Sequence, residues 1–361
     1  MEAIKEQKTE QKPPSMTWEL GTAYDLMMSL EVLHNPEGFG LRASWAAGVR
    51  SRVPASERGV LEDSLKLVYV PLVWIHTLPE PKDSAAVLWA LRQMAPEERL
   101  VNLSHQGKPA GEYEQILSCV YERRAWDEGD QEQLQKVLKS KKGHSKKDIT
   151  TILDWWSRPE EFGELYLQAL QSYYQEFFAE EERRISPALQ RASEQARELA
   201  QEKDLTELIE ILSQGVKLFI EPEVTELIFA PSYWITPLIL YNSITPQQMI
   251  FVYGARPSDA SLVPGEVVPD ALLRGLKALA EPTRLKIIRY LSQEPLSPAQ
   301  LSRRLRLRPP TVVHHLEVLR LAGLVRLNLE IPGERKYAAR REGLGDTFNN
   351  ITEFLQTDLN T

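Results

Sequence analysis

The sequence predicts a mostly α protein in two parts: a long helical domain with a small β-sheet, then a smaller C-terminal unit of short helices closed by a hairpin. Three observations lead there. Apolar residues recur at three- and four-residue spacing through much of residues 16–246, the mark of helices with one buried face. Two short runs rich in Ile, Phe and Val, bounded by Pro, Ser or Gly, fall late in that region and read as strands. The charge is split: residues 270–341 hold 15 Lys+Arg against 6 Asp+Glu, a balance of +9 on a chain whose net charge is −8. The rest therefore carries −17, and a compact basic segment on an acidic protein is what phosphate binding by one domain requires.

At 361 residues two domains are expected. Residues 1–15 are polar and lack the apolar core of a secretory signal, so a disordered tail is expected. No run of 18 apolar residues is present, which excludes a membrane-spanning helix. The single cysteine, Cys119, excludes an intramolecular disulfide and a thiolate-rich metal site. It suits a reducing cytosol, so a cytoplasmic protein is expected, with Cys119 half-buried on a helix.

Residues 16–255 form the first domain. Helices are predicted over 24–33, 57–66, 84–93, 112–124 and 146–156. The longest starts at Pro159, runs to about 179 and continues toward 184. Phe162, Tyr166, Leu170, Tyr173 and Phe177 form its buried stripe. A further helical stretch, 187–214, carries Leu189, Ala192, Ala196 and Leu199 on one side. Residues 224–230 (VTELIFA) and 249–253 (MIFVY) are the strand runs, and 217–220 is a candidate third. Residues 256–269, rich in Pro and Ser, read as a linker.

Residues 270–357 form the second domain. A helix over 270–280 places Leu272, Leu276 and Leu279 on one face; Glu281-Pro282-Thr283 ends it and starts another that buries Leu285, Ile288 and Leu291. Ser297-Pro298-Ala299-Gln300 is a capping box: the Ser297 hydroxyl accepts from an orphan N–H and Gln300 reaches back. Leu301 and Leu305 turn inward, and Leu307 plugs the tight turn Arg306-Leu307-Arg308. The next helix, 309–322, buries Val312, Leu316 and Leu319 and ends at Gly323 in a left-handed cap. Two short helices across such a turn in a basic context define a helix-turn-helix. Residues 324–329 and 335–339, joined by the turn Pro332-Gly333, make a hairpin, the wing, and a helix over 346–355 closes the unit. The second domain is therefore a winged helix-turn-helix.

LKALAEPTRLKIIRYL, SPAQLSRRLRLRPPTVVHHLEVLRLAGLV and the Pro-Gly hairpin that follows resemble ArsR-family (arsenic-repressor-like) transcriptional regulators over about residues 272–337. The whole chain also resembles bacterial regulators in which a helical domain of unknown function precedes such a unit, through AYDLMMSLEVLHNPE and IFAPSYWITP. The resemblance implies sequence-specific binding of double-stranded DNA, repression as the usual outcome, and a homodimer on a palindromic operator through the helices at 270–280 and 346–355. It places Thr311, Val313 and His314, with Glu317 one turn further, at the major groove, where base edges are distinguishable, with Arg308 just before the helix and Pro309 and Pro310 in its first turn as further DNA-binding positions. Arg335 and Lys336 on the wing, with Arg303 and Arg304, would meet backbone phosphate. Arg308 cannot accept N-cap hydrogen bonds, and the two prolines lack N–H groups for a phosphate.

The stretches where relatives of this type hold metal-binding cysteines contain neither Cys nor His, and His314-His315 lack the i, i+4 spacing of a metal pair. No metal and no cofactor are expected. No G-x-S-x-G, Walker loop, G-x-G-x-x-G or H-E-x-x-H occurs, so no enzyme is expected. All eight tryptophans lie in the first domain, and Trp155, Trp156, Tyr166, Tyr173, Tyr174, Phe177 and Phe178 cluster in sequence. They read as an aromatic core or, alternatively, as a pocket for a small apolar effector. Two other readings stay open: a winged helix used as a protein–protein module, and an enzyme domain with an appended DNA-binding domain.

Overall fold

The computed structural model describes residues 13–105, 107, 110–139, 145–329 and 335–356. The first domain is built mainly of helices: α1 (Ala23–His34), α2 (Ala43–Arg50), α3 (Ala55–Leu67), α4 (Leu72–His76), α5 (Ser84–Gln93), α6 (Pro96–Ser104), α7 (Glu112–Arg123), α8 (Glu128–Lys139), α9 (Lys146–Ser157) and α10 (Pro159–Tyr173). One π turn, Tyr174–Phe178, joins α10 to α11 (Ala179–Glu202), so the chain stays helical through Pro187 rather than breaking there. Burial of Ile185, Ala188 and Leu189 on both sides of the proline outweighs its missing N–H. The predicted stripe is buried throughout, and α12 (Leu205–Leu212) follows after a short break. Cys119 is exposed on α7 rather than half-buried. No helix among the described residues is long and apolar enough to cross a membrane.

The sheet is larger than the sequence suggests. β1 (Ser15–Trp18) runs parallel to β3 (Glu226–Ser232), β3 is parallel to β5 (Gln248–Gly254), and β4 (Ile239–Thr245) is antiparallel to β5. Strand alternation splits the two central strands between two cores. Ile228, Ala230, Ile250 and Val252 join the main helical core. Leu227, Phe229, Phe251 and Tyr253 pack with Ala196, Leu208 and Ile209 of α11 and α12. A strand covered on both faces reads as a continuous apolar run, which is why VTELIFA and MIFVY do not alternate.

The C-terminal unit holds α13 (Asp270–Leu279), α14 (Pro282–Leu291), α15 (Pro298–Leu305), α16 (Pro309–Leu321), β6 (Val325–Leu329), β7 (Lys336–Ala339) and α17 (Arg341–Gln356) around its own core of Leu301, Val312, Leu316 and Leu319. Two faces differ from expectation. On α13 the buried residues are Leu272, Gly275 and Ala278, whereas Leu276 is exposed. On α14 they are Ile287, Ile288 and Leu291, whereas Leu285 is exposed. Close approach of α17 explains the first: a Cβ on Gly275 would lie 2.8 Å from the Thr347 methyl. The turn Pro332-Gly333 falls outside the described residues.

The two parts are fastened together at two places. β2 (Val216–Leu218), expected near the first domain's sheet, instead pairs parallel with β6 of the wing. Residues 256–269 carry no helix or strand, yet Arg256, Ser261 and Leu262 within them are buried. Asp270 accepts from the Leu262 N–H at 2.8 Å, and Ser261 O accepts from Tyr233 OH at 3.0 Å.

Two residues make the first domain's packing testable. Gly163 of α10 lies against α6, where a Cβ would come within 1.9 Å of Pro96 O, and Arg99 donates to Gly163 O at 2.8 Å. Gly163→Ala is expected to cost about 1–3 kcal/mol in urea denaturation, the usual range for overpacking.

Asp25 of α1 is fully buried. Its Oδ1 accepts from Ser232 Oγ at 2.7 Å and Trp234 N–H at 2.8 Å, while Oδ2 has no hydrogen-bond partner among the described residues. Burial pushes its carboxyl up to about 7. The folded protein therefore keeps a proton that the unfolded chain releases at ordinary carboxylate pH, so stability falls as pH rises from about 4 to about 7. Asp25→Asn should remove that part of the slope; identical pH dependence of the unfolding midpoint in both proteins would refute this.

Candidate nucleic-acid interface

The helix-turn-helix is held by local chemistry. Glu281 caps α14, accepting from Thr283 N–H at 3.0 Å and Arg284 N–H at 2.9 Å. The Arg284 guanidinium in turn donates to the Ala278 and Lys277 carbonyls, both at 2.7 Å, closing the end of α13. The EPTR segment is thus a hinge between two helices. In the capping box of α15, Ser297 N–H donates to Gln300 Oε1 at 2.8 Å and Gln300 N–H to Ser297 Oγ at 3.4 Å. Arg306 ends α15 with φ +56°, a left-handed conformation unusual for a side chain with a Cβ, and Leu307 packs on the core as the corner residue. Gly323, φ +68°, follows α16.

Because Val312, Leu316 and Leu319 are fully buried, the opposite side of α16 faces outward. Thr311, Val313, His314 and Glu317 are all exposed on α16, with Arg308, Pro309 and Pro310 exposed at its start. His315 is half-buried, its Nδ1 3.7 Å from Glu281 Oε2, and burial lowers its pKa. Arg308 stands at the N-cap with no side-chain cap, and Thr311 and Val312 N–H both turn back to Arg308 O at 3.0 and 3.2 Å. The start of α16 therefore offers little N–H to an anion, which leaves that work to cationic side chains.

Those cations differ in readiness. Arg303, Arg308 and Arg335 are exposed, with no ion-pair partner among the described residues. Arg304 is engaged: it pairs with Glu294 at 2.6 Å and lies 5.7 Å from the Tyr290 ring centre. Lys336 is half-buried at the start of β7. Arg306, which sequence reasoning passed over, is exposed in the turn beside Arg308; the alternation in RLRLR was its signal.

A family model described as a helix-turn-helix domain matches residues 279–328, from the end of α13 into β6. No curated protein and no solved structure matches the chain. The chain contains a helix-turn-helix DNA-binding domain.

Exposed arginines that meet phosphate contribute affinity without sequence preference and release counterions. Arg303→Gln and Arg335→Gln should each weaken binding to all duplexes alike and reduce the slope of log affinity against log salt by about 1. Arg304→Gln, whose charge is already paired, should change that slope less.

Proposed function

We propose that the protein is a sequence-specific DNA-binding transcriptional regulator of the ArsR type, acting as a repressor through a homodimer on a palindromic operator. One observation carries this reading: Thr311, Val313, His314 and Glu317 are spread over the exposed face of α16, away from the buried Val312, Leu316 and Leu319. This face is flanked by arginines with no ion-pair partner among the described residues, at the start of the helix and on the wing. Side chains on such a face reach base edges in a major groove, and the flanking cations set register on the backbone.

The dimer reading is supported by apolar residues exposed on the two flanking helices: Leu273 and Leu276 on α13, Phe348 and Leu355 on α17. Exposed large hydrophobics grouped on two packed helices suit a self-complementary contact. The protein acts in the cytoplasm, senses no metal and catalyses no reaction in this reading, and the first domain carries the regulatory input.

Selection of bound duplexes from a random pool with the full chain tests it. A palindromic site is expected, with affinity falling at least tenfold when Thr311 and His314 become Ala together. Recovery of no preferred sequence, with weak salt-sensitive binding only, would refute the reading and favour a protein partner for the winged helix.

A further inference from the structure

A cleft of about 420 Å³ opens between the two parts of the chain. Thr236, Pro237 and Arg256 form its inner side from the first domain, and Arg274 of α13 with Asn349 and Asn350 of α17 line the other. Its polar groups do not balance. The Arg256 side chain is 1% exposed; its Nη2 donates to Thr236 O at 2.9 Å, while Nη1 has no hydrogen-bond partner among the described residues. The carboxylate nearest to Nη1 is Asp270, 3.8 Å away and already accepting from Leu262 N–H. Among the described residues Arg274 reaches only Phe39 O, at 3.5 Å, and its Nε is buried with no hydrogen-bond partner. Gly40, φ +72°, presses on the Arg274 stem, where a Cβ would lie 3.0 Å from Cδ. Burial and the charge of Arg256 push Arg274 down to about 9.

Two guanidinium groups lining the cleft thus each keep a donor with no partner among the described residues, and the one carboxylate near Arg256 is already committed. A fixed pair of planar forks with donors to spare matches a carboxylate or a phosphate group, whose oxygens accept in the same plane. Arg340 also lines the cleft, its Nη2 3.6 Å from the exposed Asp346, and Glu353 is a further exposed carboxylate of the lining; these acidic groups offset the arginines and favour a small anion over a polyanion.

We propose that this cleft binds a small organic anion, with its carboxylate or phosphate group seated on Arg256 and Arg274 and its uncharged part against Asn349, Asn350 and Pro237. An anion there touches the first domain and both helices that flank the winged helix, so its binding fixes their relative placement. As a regulatory site it rests on the DNA-binding reading above; as a binding site it does not. It also differs in chemistry from an apolar effector held among aromatic rings: Phe162, Tyr173, Phe178 and Trp234 are fully buried in the core.

Calorimetric titration of the full chain with inorganic phosphate and with succinate, at constant ionic strength, tests the site. Saturable one-site binding is expected for at least one probe, and the probe preferred tells a phosphorylated from a carboxylated ligand. Affinity should fall at least tenfold in Arg274→Gln and in Asn349→Trp, and stay unchanged in Lys136→Gln, an exposed position on α8. Asn349→Trp sits on an exposed helix position and fills the cleft without disturbing a buried charge, so it serves if Arg274→Gln fails to fold. Absence of saturable binding to either probe, binding that survives both cleft substitutions, or binding lost in Lys136→Gln would overturn the proposal. No DNA is present in these titrations, so failure of duplex selection leaves them intact. With a selected duplex in hand, saturating anion should shift DNA affinity at least fivefold at equal salt; no shift would remove the regulatory role.

Discussion

The edge of the wing decides how the molecule is put together. A two-stranded hairpin leaves the backbone groups of its outer strand unpaired, a state proteins cover or blunt. Here β2 covers β6, and the pairing is reinforced from both sides: Leu327 N–H donates to Gly215 O at 2.8 Å, Arg326 pairs with Glu210 at 3.1 Å, and buried Arg320 of α16 donates to Ser213 O at 2.7 Å. The turn that delivers β2 needs left-handed backbone at Gln214 (φ +52°) and Gly215 (φ +103°). A segment leaving the first domain therefore becomes part of the second domain's sheet. The winged helix is thereby bonded to its neighbour by backbone as well as by side chains, and α16 cannot turn relative to α12 without breaking these contacts.

The same fastening changes the meaning of residues 256–269. Proline, serine and the lack of a period mark a connecting segment, and the chain there forms no regular element. Packing decides the rest. Tyr233, Ser261, Leu262 and Asp270 are joined by hydrogen bonds, and Arg184 lies 4.9 Å from the Tyr233 ring centre while pairing with buried Glu181. Motion between domains is the usual expectation where an interface is small and polar. Here two separate attachments, one a strand pairing and one a buried polar cluster, hold the same pair of domains.

What could be read from the sequence was what local chemistry determines. The stripe from Phe162 to Phe177, the capping box at Ser297 and the buried residues of α16 depend on neighbours within a few positions. The exposed face of α16 followed as the complement of its buried one. What could not be read depends on distant chain. β1 is four residues long and pairs with β3 some 210 residues later, and Ile239–Thr245 mixes polar and apolar residues because most of β4 is only half-buried. Leu276 and Leu285 looked internal because helical periodicity admits more than one apolar face; on α13 the approach of α17 at Gly275 leaves Leu276 outside, and on α14 Ile287 and Ile288 take the core in place of Leu285. The engagement of Arg304 by Glu294 and the meeting of Arg256 with Arg274 were equally out of reach, since charge patterning along a chain does not say which charges are already paired.

α13 and α17 carry three demands at once, and their composition reflects it. Where they meet, Gly275 of α13 lies against Thr347 of α17, and Gly343 of α17 lies against Gly323 after α16, so small residues allow close approach at both contacts. Outward they expose Leu273, Leu276, Phe348 and Leu355, at positions no monomer needs apolar. Toward the first domain they turn Arg274, Asn349 and Asn350 into the cleft. A change in the cleft is therefore felt by the helices that would join two copies, and in a two-fold dimer the placement of those helices sets the distance between the two α16 faces. Half-site spacing is fixed by the helical repeat of DNA, so a small displacement of α13 and α17 suffices to move both faces out of register. In the proposed regulation, the route from first domain to DNA runs through small displacements of α13 and α17 against the closed core around Leu316.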